Sequence, residues 1–173
     1  MRNLVALLIL AISSFNSFAD EYDRFDGWSA TIYGLSHHVT PSKTVPYREI
    51  NPGLGVRKHF GECFWRTANC FGELSHVSQN SIGGKVTMAS VGSKWTLATV
   101  DGVRLHIGGT LTYLEYENPH NKAVYSGATP IPFIGIGKGN WDFDISILSR
   151  KPIEALTGKD AEAIFFGYFI YRF

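Results

Sequence analysis

The sequence predicts an all-β fold, an eight-stranded antiparallel outer-membrane β-barrel with a short N-terminal periplasmic segment. Three observations support this prediction: apolar and polar residues alternate with a period of two, an export signal begins the chain, and an aromatic strand ends it. The chain has 173 residues, of which 45% are hydrophobic and 18% charged. This composition is too apolar for a disordered chain, and the length suits one domain.

The N-terminus has the pattern of a secretory signal peptide. A basic residue precedes the uninterrupted apolar run Leu4–Ile12, and a small-x-small cleavage sequence ends at Ala19. The run is far shorter than the roughly 20 apolar residues that a membrane-spanning helix needs. We therefore expect cleavage of residues 1–19. Residues 20–27 are expected to remain in the periplasm as a linker or a short helical turn, and residues 28–173 to form the barrel.

Eight segments of the chain are candidate strands. In Val103–Tyr113, for example, Leu105 and Ile107 lie on one face, while Arg104 and His106 lie on the other. An even number of strands suits a closed antiparallel barrel. The predicted strands cover approximately residues 28–39, 52–60, 70–79, 85–97, 103–116, 129–137, 141–148 and 163–173.

The connections and the last strand favour a membrane barrel over a soluble one. Connections on one side are mostly long, whereas residues 98–102 and 138–140 on the other side form tight turns, as expected in the periplasm. Phe165, Phe169 and Phe173 share one face of the last strand, an ending common in exported barrels. A soluble lipocalin-like barrel or sandwich would also alternate with a period of two, and the sequence alone assigns neither face to the interior.

Charge and cysteine content exclude several classes of protein. Lys and Arg number 16 and Asp and Glu 15, so the chain has no basic excess that would favour nucleic-acid binding. The six histidines form no metal-binding motif, and we expect neither a metal nor a cofactor. Cys63 and Cys70 are seven residues apart, which allows one disulfide in an oxidising compartment if a turn lies between them.

A histidine and a serine mark a candidate site at the outer rim of the barrel. The antiparallel order brings the end of the first strand, at His38, near the end of the third strand, at Asn80 and Ser81. The alternation turns His38 and Ser81 towards the lumen. A histidine beside a serine suits acyl transfer, but the same residues can also simply form hydrogen bonds at the rim.

Prolines interrupt the predicted wall of the barrel at two places. Pro130 and Pro132 lie in the sixth strand, although proline donates no hydrogen bond to a sheet and is normally confined to edges. They predict a local gap that would open the barrel sideways to lipid, and Pro52 predicts a second gap beside the first strand. The alternative is that these prolines mark the ends of strands.

The motifs resemble those of the outer-membrane lipid A palmitoyltransferase (PagP) family. Asn80-Ser81, followed after seven residues by Ala89-Ser90-Val91-Gly92, resembles the Asp-Ser and Ala-Gly-x-Gly motifs of this family. Tyr47-Arg48-Glu49 resembles its Tyr-Asn-Glu motif, and the segment that begins at Pro132 resembles its sixth strand. The resemblance extends from about Trp28 to Phe173.

This resemblance implies an acyltransferase that moves a palmitate-like chain from a phospholipid donor to a lipid A acceptor. His38, or as second choice His37, would act as general base, and Ser81 and Asn80 would position the ester. Asn80 stands where the family has Asp, and an asparagine cannot act as a base near neutral pH. Gly92 would form the floor of the acyl-chain pocket.

The resemblance also assigns the remaining contacts of the site. Tyr47, Glu49 and Pro132 would bind substrate, and the protein would act in the outer membrane as a monomer. Two other functions remain open: a non-enzymatic small barrel that serves as an anchor or adhesin, and a lipid A deacylase or esterase that uses the same histidine and serine with a carboxylate such as Glu49.

Overall fold

A computed structural model describes residues 25–39, 48–64, 68–81, 83–118, 122–149 and 163–173. The predicted signal peptide and residues 20–24 lie outside the described residues. Within the described part of the chain, no helix is long and apolar enough to cross a membrane. The strands are β1 (Asp26–Val39), β2 (Ile50–Cys63), β3 (Ala68–Val77), β4 (Val86–Val100), β5 (Val103–Glu117), β6 (Val124–Lys138), β7 (Trp141–Ser149) and β8 (Ala163–Arg172).

The strands form a closed barrel in chain order. Each strand is antiparallel to the next, and β1 pairs with β8 to close the sheet. The predicted fold class is therefore confirmed. All eight predicted strands are present, with ends that differ from the prediction by a few residues.

The barrel carries its apolar side chains on the outside. Leu54 and Leu111 are 68% and 57% exposed, whereas Arg57 and Thr112, on the opposite face of the same strands, are each 2% exposed. This arrangement is the reverse of a soluble barrel, which turns its apolar face inward. A lipid-facing apolar belt around a polar interior is the arrangement of an outer-membrane barrel, so the lipocalin-like alternative is wrong.

Tight connections and a disulfide define one end of the barrel. β4 and β5 are joined by Asp101 and Gly102, whose φ angles of 51° and 73° match the two-residue hairpin turn that Asp-Gly favours. Cys63 and Cys70 form a disulfide that joins β2 to β3, with Cα atoms 5.8 Å apart. The antiparallel pairing of β2 with β3 brings the two cysteines together. We assign this end to the periplasm because outer-membrane barrels have their short turns there.

The hydrogen-bonded ladder of the wall ends at one of the two places that the prolines mark. The ladder between β5 and β6 is continuous over 15 residues of each strand, whereas β6 pairs with β7 only from Phe133 to Lys138. Pro130 and Pro132 lie on the part of β6 that has no β7 partner among the described residues. Because the ladder to β5 is intact, we infer that their missing N–H groups face β7.

The second predicted gap, at Pro52, is absent from the structure. β1 and β2 pair on both sides of this residue, through Tyr33 with Gly53 and through Leu35 with Ile50. The register shifts between these two pairs. Pro52 therefore occupies an irregularity of a continuous ladder rather than an opening.

Candidate functional site

The outer half of the lumen contains a cavity of about 180 Å³. This volume is many times the space that one water molecule needs. We call it the outer cavity. The middle of its wall is apolar and consists of Val77, Val86, Met88, Leu114, Tyr116, Ile131, Leu148, Ile164 and Phe166. Two of these residues, Ile131 and Leu148, come from β6 and β7 at the height where the ladder between those strands has ended.

Three predicted site residues line this cavity at its mouth: His38, Asn80 and Ser81. Two of them also hold the loop after β3. The Asn80 side-chain Oδ1 accepts a hydrogen bond from the backbone N–H of Gly84 at 2.8 Å, and the Ser81 carbonyl accepts one from the backbone N–H of Arg48 at 2.8 Å. The topology thus brings the predicted rim residues together, and at least Asn80 has a structural role there.

The other predicted site residues lie elsewhere. The Glu49 side chain is 70% exposed, and its Oε1 lies 3.3 Å from Nδ1 of His37, which is 68% exposed. Neither residue lines the outer cavity. Pro132 is exposed on the outer face of β6, and Tyr47 lies outside the described residues. Glu49, the carboxylate named for the deacylase alternative, therefore does not face the cavity.

Gly92 lies on the inner face of β4 but does not line the outer cavity. A Cβ atom at Gly92 would lie 2.7 Å from the Phe71 ring and 2.7 Å from Cγ2 of Thr110. Phe71 is 1% exposed, and its ring centroid lies 6.2 Å from that of Phe133. The glycine therefore makes room for a ring that closes the lumen.

Polar groups form the floor of the outer cavity. Glu73 accepts hydrogen bonds from Nε of Arg57 at 2.7 Å, from Oγ1 of Thr31 at 3.1 Å and from the Tyr33 hydroxyl. The Tyr168 hydroxyl lies 3.0 Å from Oγ of Ser146. A hydroxyl chain, Ser90, Thr112 and Thr110, completes the floor.

The periplasmic half of the lumen is filled by a buried charge cluster, which we define as Lys94, Arg104, Asp142 and Arg172. The Asp142 carboxylate lies 3.0 Å from Nζ of Lys94, 2.9 Å from Nη2 of Arg104 and 2.6 Å from Nη2 of Arg172. Sequence reasoning placed Arg104 on a polar face but did not predict this cluster. In the sequence, the cluster is indicated only by one charged residue at an inward position of each of four strands.

A serine, a histidine and an asparagine also meet near the cluster, but they are inaccessible. Ser29 Oγ lies 3.1 Å from Nε2 of His59, and Nδ1 of His59 lies 2.9 Å from Oδ1 of Asn69. All three residues are at most 3% exposed. No ester could reach Ser29, so this arrangement serves packing. The described residues also contain no group of three or more side chains that could hold a metal ion.

The comparisons with known proteins give likenesses of fold. No family model and no curated protein matches the chain. Neisserial surface protein A is 9% identical with a TM-score of 0.47, over 84% of this chain and 95% of that chain. The N-terminal β-barrel domain of Pseudomonas aeruginosa OprF is 13% identical with a TM-score of 0.43, over 84% and 96%. Ail, the attachment invasion locus protein of Yersinia pestis, is 14% identical with a TM-score of 0.39, over 86% and 100%.

The predicted membership of the lipid A palmitoyltransferase family is wrong, and so is the predicted acyltransferase activity. The solved structures that the chain resembles are a surface protein, an OprF barrel domain and an attachment protein. The structure gives a physical reason for the error. Two of the motif residues do not join the rim residues at the cavity, because Glu49 faces outward and Gly92 accommodates the Phe71 ring beneath the cavity.

Proposed function

We propose that this chain is a non-enzymatic outer-membrane barrel that holds a hydrocarbon chain of an outer-membrane lipid in its outer cavity. The observation that carries the proposal is the apolar wall of that cavity, inside a lumen whose other buried side chains are mostly polar. An apolar space of this size is stabilised when apolar groups rather than water fill it.

The break between β6 and β7 supports a membrane source for the ligand. A hydrocarbon chain needs no hydrogen bonds to the edge of β6, and the prolines on that edge discourage pairing with another strand. Ile131 and Leu148 line the cavity beside the break and pack against each other there, so an acyl chain would pass between the bilayer and the lumen by separating these two side chains. A phospholipid and lipid A are the candidate sources of such a chain.

The charge cluster favours storage or sensing of this ligand over transport. Asp142 and the three cations around it are each at most 5% exposed, so they fill the lumen below the cavity. A ligand that enters from the outer half therefore meets a closed floor. This closed floor supports a binding barrel rather than a pore.

The test is native mass spectrometry of the barrel released from bilayer nanodiscs. The wild-type barrel is expected to retain one lipid. Leu114→Trp fills the cavity and should abolish retention, whereas Leu111→Trp, on the lipid-facing side of the same strand, should leave retention unchanged. Loss of the lipid in both variants, or in neither, would contradict the proposal.

Lipid A from cells that express the chain provides the second measurement. Its mass spectrum should be the same with and without the protein. A gain or loss of one acyl chain that disappears in Ser81→Ala would instead establish an enzyme.

We also propose that residues 1–19 direct export and are cleaved before Asp20. The apolar run and the cleavage sequence at Ala19 support this proposal. N-terminal sequencing of the protein from outer membranes should begin at Asp20. A retained Met1 would contradict it.

A further inference from the structure

Arg57, on the floor of the outer cavity, has one hydrogen-bond donor without a partner among the described residues. Its side chain is 2% exposed, and Nε is bonded to Glu73. Its Nη1 is buried and has no hydrogen-bond partner within the part of the chain that the structure describes. A buried guanidinium N–H without an acceptor is costly, which indicates that an acceptor from outside the described residues completes it.

The charges of the lumen indicate that this acceptor is an anion. The buried cations are Arg57, Lys94, Arg104 and Arg172, whereas the buried carboxylates are Glu73, Asp142 and Asp144. These side chains alone carry one positive charge in excess. A ligand with one negative charge would balance it, and a carboxylate matches the geometry of the arginine N–H donors.

The neighbours of Arg57 indicate where such an anion would lie. The guanidinium carbon stands 4.0 Å from the centroid of the Phe71 ring, so this ring covers one face of the group. Tyr168 and Ser146 also line the cavity and bring hydroxyl groups to the floor. A carboxylate at this depth has donors beside it and the apolar wall above it.

We propose that the ligand of the outer cavity is a free fatty acid, bound with its carboxylate at Arg57 and its hydrocarbon chain along the apolar wall. This inference rests on the proposed function and specifies the ligand. The methyl end of the chain lies towards the mouth and the break between β6 and β7. A phospholipid tail, by contrast, would bring its apolar end to the charged floor.

The experiment uses the full barrel in bilayer nanodiscs with two probes labelled at carbon 1 with carbon-13: palmitic acid and hexadecanol. In the carbon-13 NMR spectrum, a signal distinct from that of probe molecules in the bilayer reports the probe bound to the barrel. At equal concentration and alkaline pH, palmitate is expected to reach at least tenfold higher occupancy than hexadecanol. Leu114→Trp should remove the bound signal of both probes.

A double variant isolates the contribution of Arg57. Arg57→Met combined with Glu73→Gln removes both charges of this ion pair, so neither charge is left buried without its partner. In this double variant, the occupancies of palmitate and hexadecanol should lie within twofold of each other. Arg57→Lys should keep part of the preference for palmitate.

The outcomes separate this inference from the proposed function. Equal occupancy of both probes in the wild-type barrel overturns the role of Arg57 and leaves a hydrocarbon-binding cavity. A phospholipid that excludes both probes also overturns the fatty acid and leaves the proposed function. An absence of any bound lipid overturns both.

Discussion

The two halves of the lumen differ, although the same alternating strands build them. In the periplasmic half, polar side chains from opposite walls meet and pair, as Lys94 of β4 does with Asp142 of β7. In the outer half, inward side chains such as Met88 and Leu114 are apolar and leave open space between them. The difference shows how an eight-stranded barrel can be filled with side chains at one end and contain a cavity at the other.

Two phenylalanine rings form part of the boundary between these halves. Phe71 and Phe133 lie side by side across the lumen, and Gly92 and Gly108 provide the space for them. The open space begins beyond these rings. We expect mutations in the periplasmic half to cost stability, and mutations in the outer half to affect binding with little effect on stability.

The largest effect is expected for Asp142→Asn. The substitution removes the charge that pairs with Lys94, Arg104 and Arg172, and disruption of buried ion pairs costs roughly 3–5 kcal/mol. Urea unfolding of the barrel in micelles measures this loss. Asp26→Asn is the matched control, because its pair with Lys58 is solvent-exposed and should contribute less than about 1 kcal/mol. Equal losses in the two variants would contradict the assigned role of the cluster.

A pair of phenylalanine variants compares the packed boundary with the outer half. Phe71→Ala removes a ring packed against Arg57 and Phe133 and should cost about 3–4 kcal/mol. Phe166→Ala removes a ring that already borders the cavity, so we expect a loss of only about 1 kcal/mol. The same unfolding measurement compares them. A larger loss for Phe166→Ala would reverse our view of which half is packed.

The smallest effect concerns the glycines near the boundary. Gly92→Ala would bring a methyl group within 2.7 Å of the Phe71 ring and should cost roughly 1–3 kcal/mol. Gly109→Ala is the control, because no atom lies closer than 3.7 Å to its new methyl group, and its effect should stay within about 0.5 kcal/mol. If Gly92→Ala is as stable as wild type, the Phe71 ring does not close the lumen there.

The strands could be predicted from the sequence because period two, the tight turns and the even strand number all follow from local patterns. The topology then placed His38 and Ser81 at one rim, where both line the outer cavity. The orientation of the two faces needed the three-dimensional structure, because alternation alone is the same in a soluble barrel and in a membrane barrel.

The family assignment failed at Gly92 for a physical reason. A small inward residue on a barrel strand can mark the end of a pocket or the space for a ring from the neighbouring strand, and the spacing of the motif is identical in both cases. Phe71 is twenty-one residues away in the chain, yet it determines which of the two applies. Side-chain contacts across the lumen, such as those of Asp142, likewise leave no local pattern in the sequence.

The disulfide between Cys63 and Cys70 has a consequence for following this protein in the cell. The two thiols pair only after the chain has reached an oxidising compartment, and they are the only cysteines of the sequence. A thiol-reactive mass tag applied to denatured cell extracts will therefore label chains that have not been exported and leave exported chains unlabelled. The ratio of the two bands reports the efficiency of export without any added reporter.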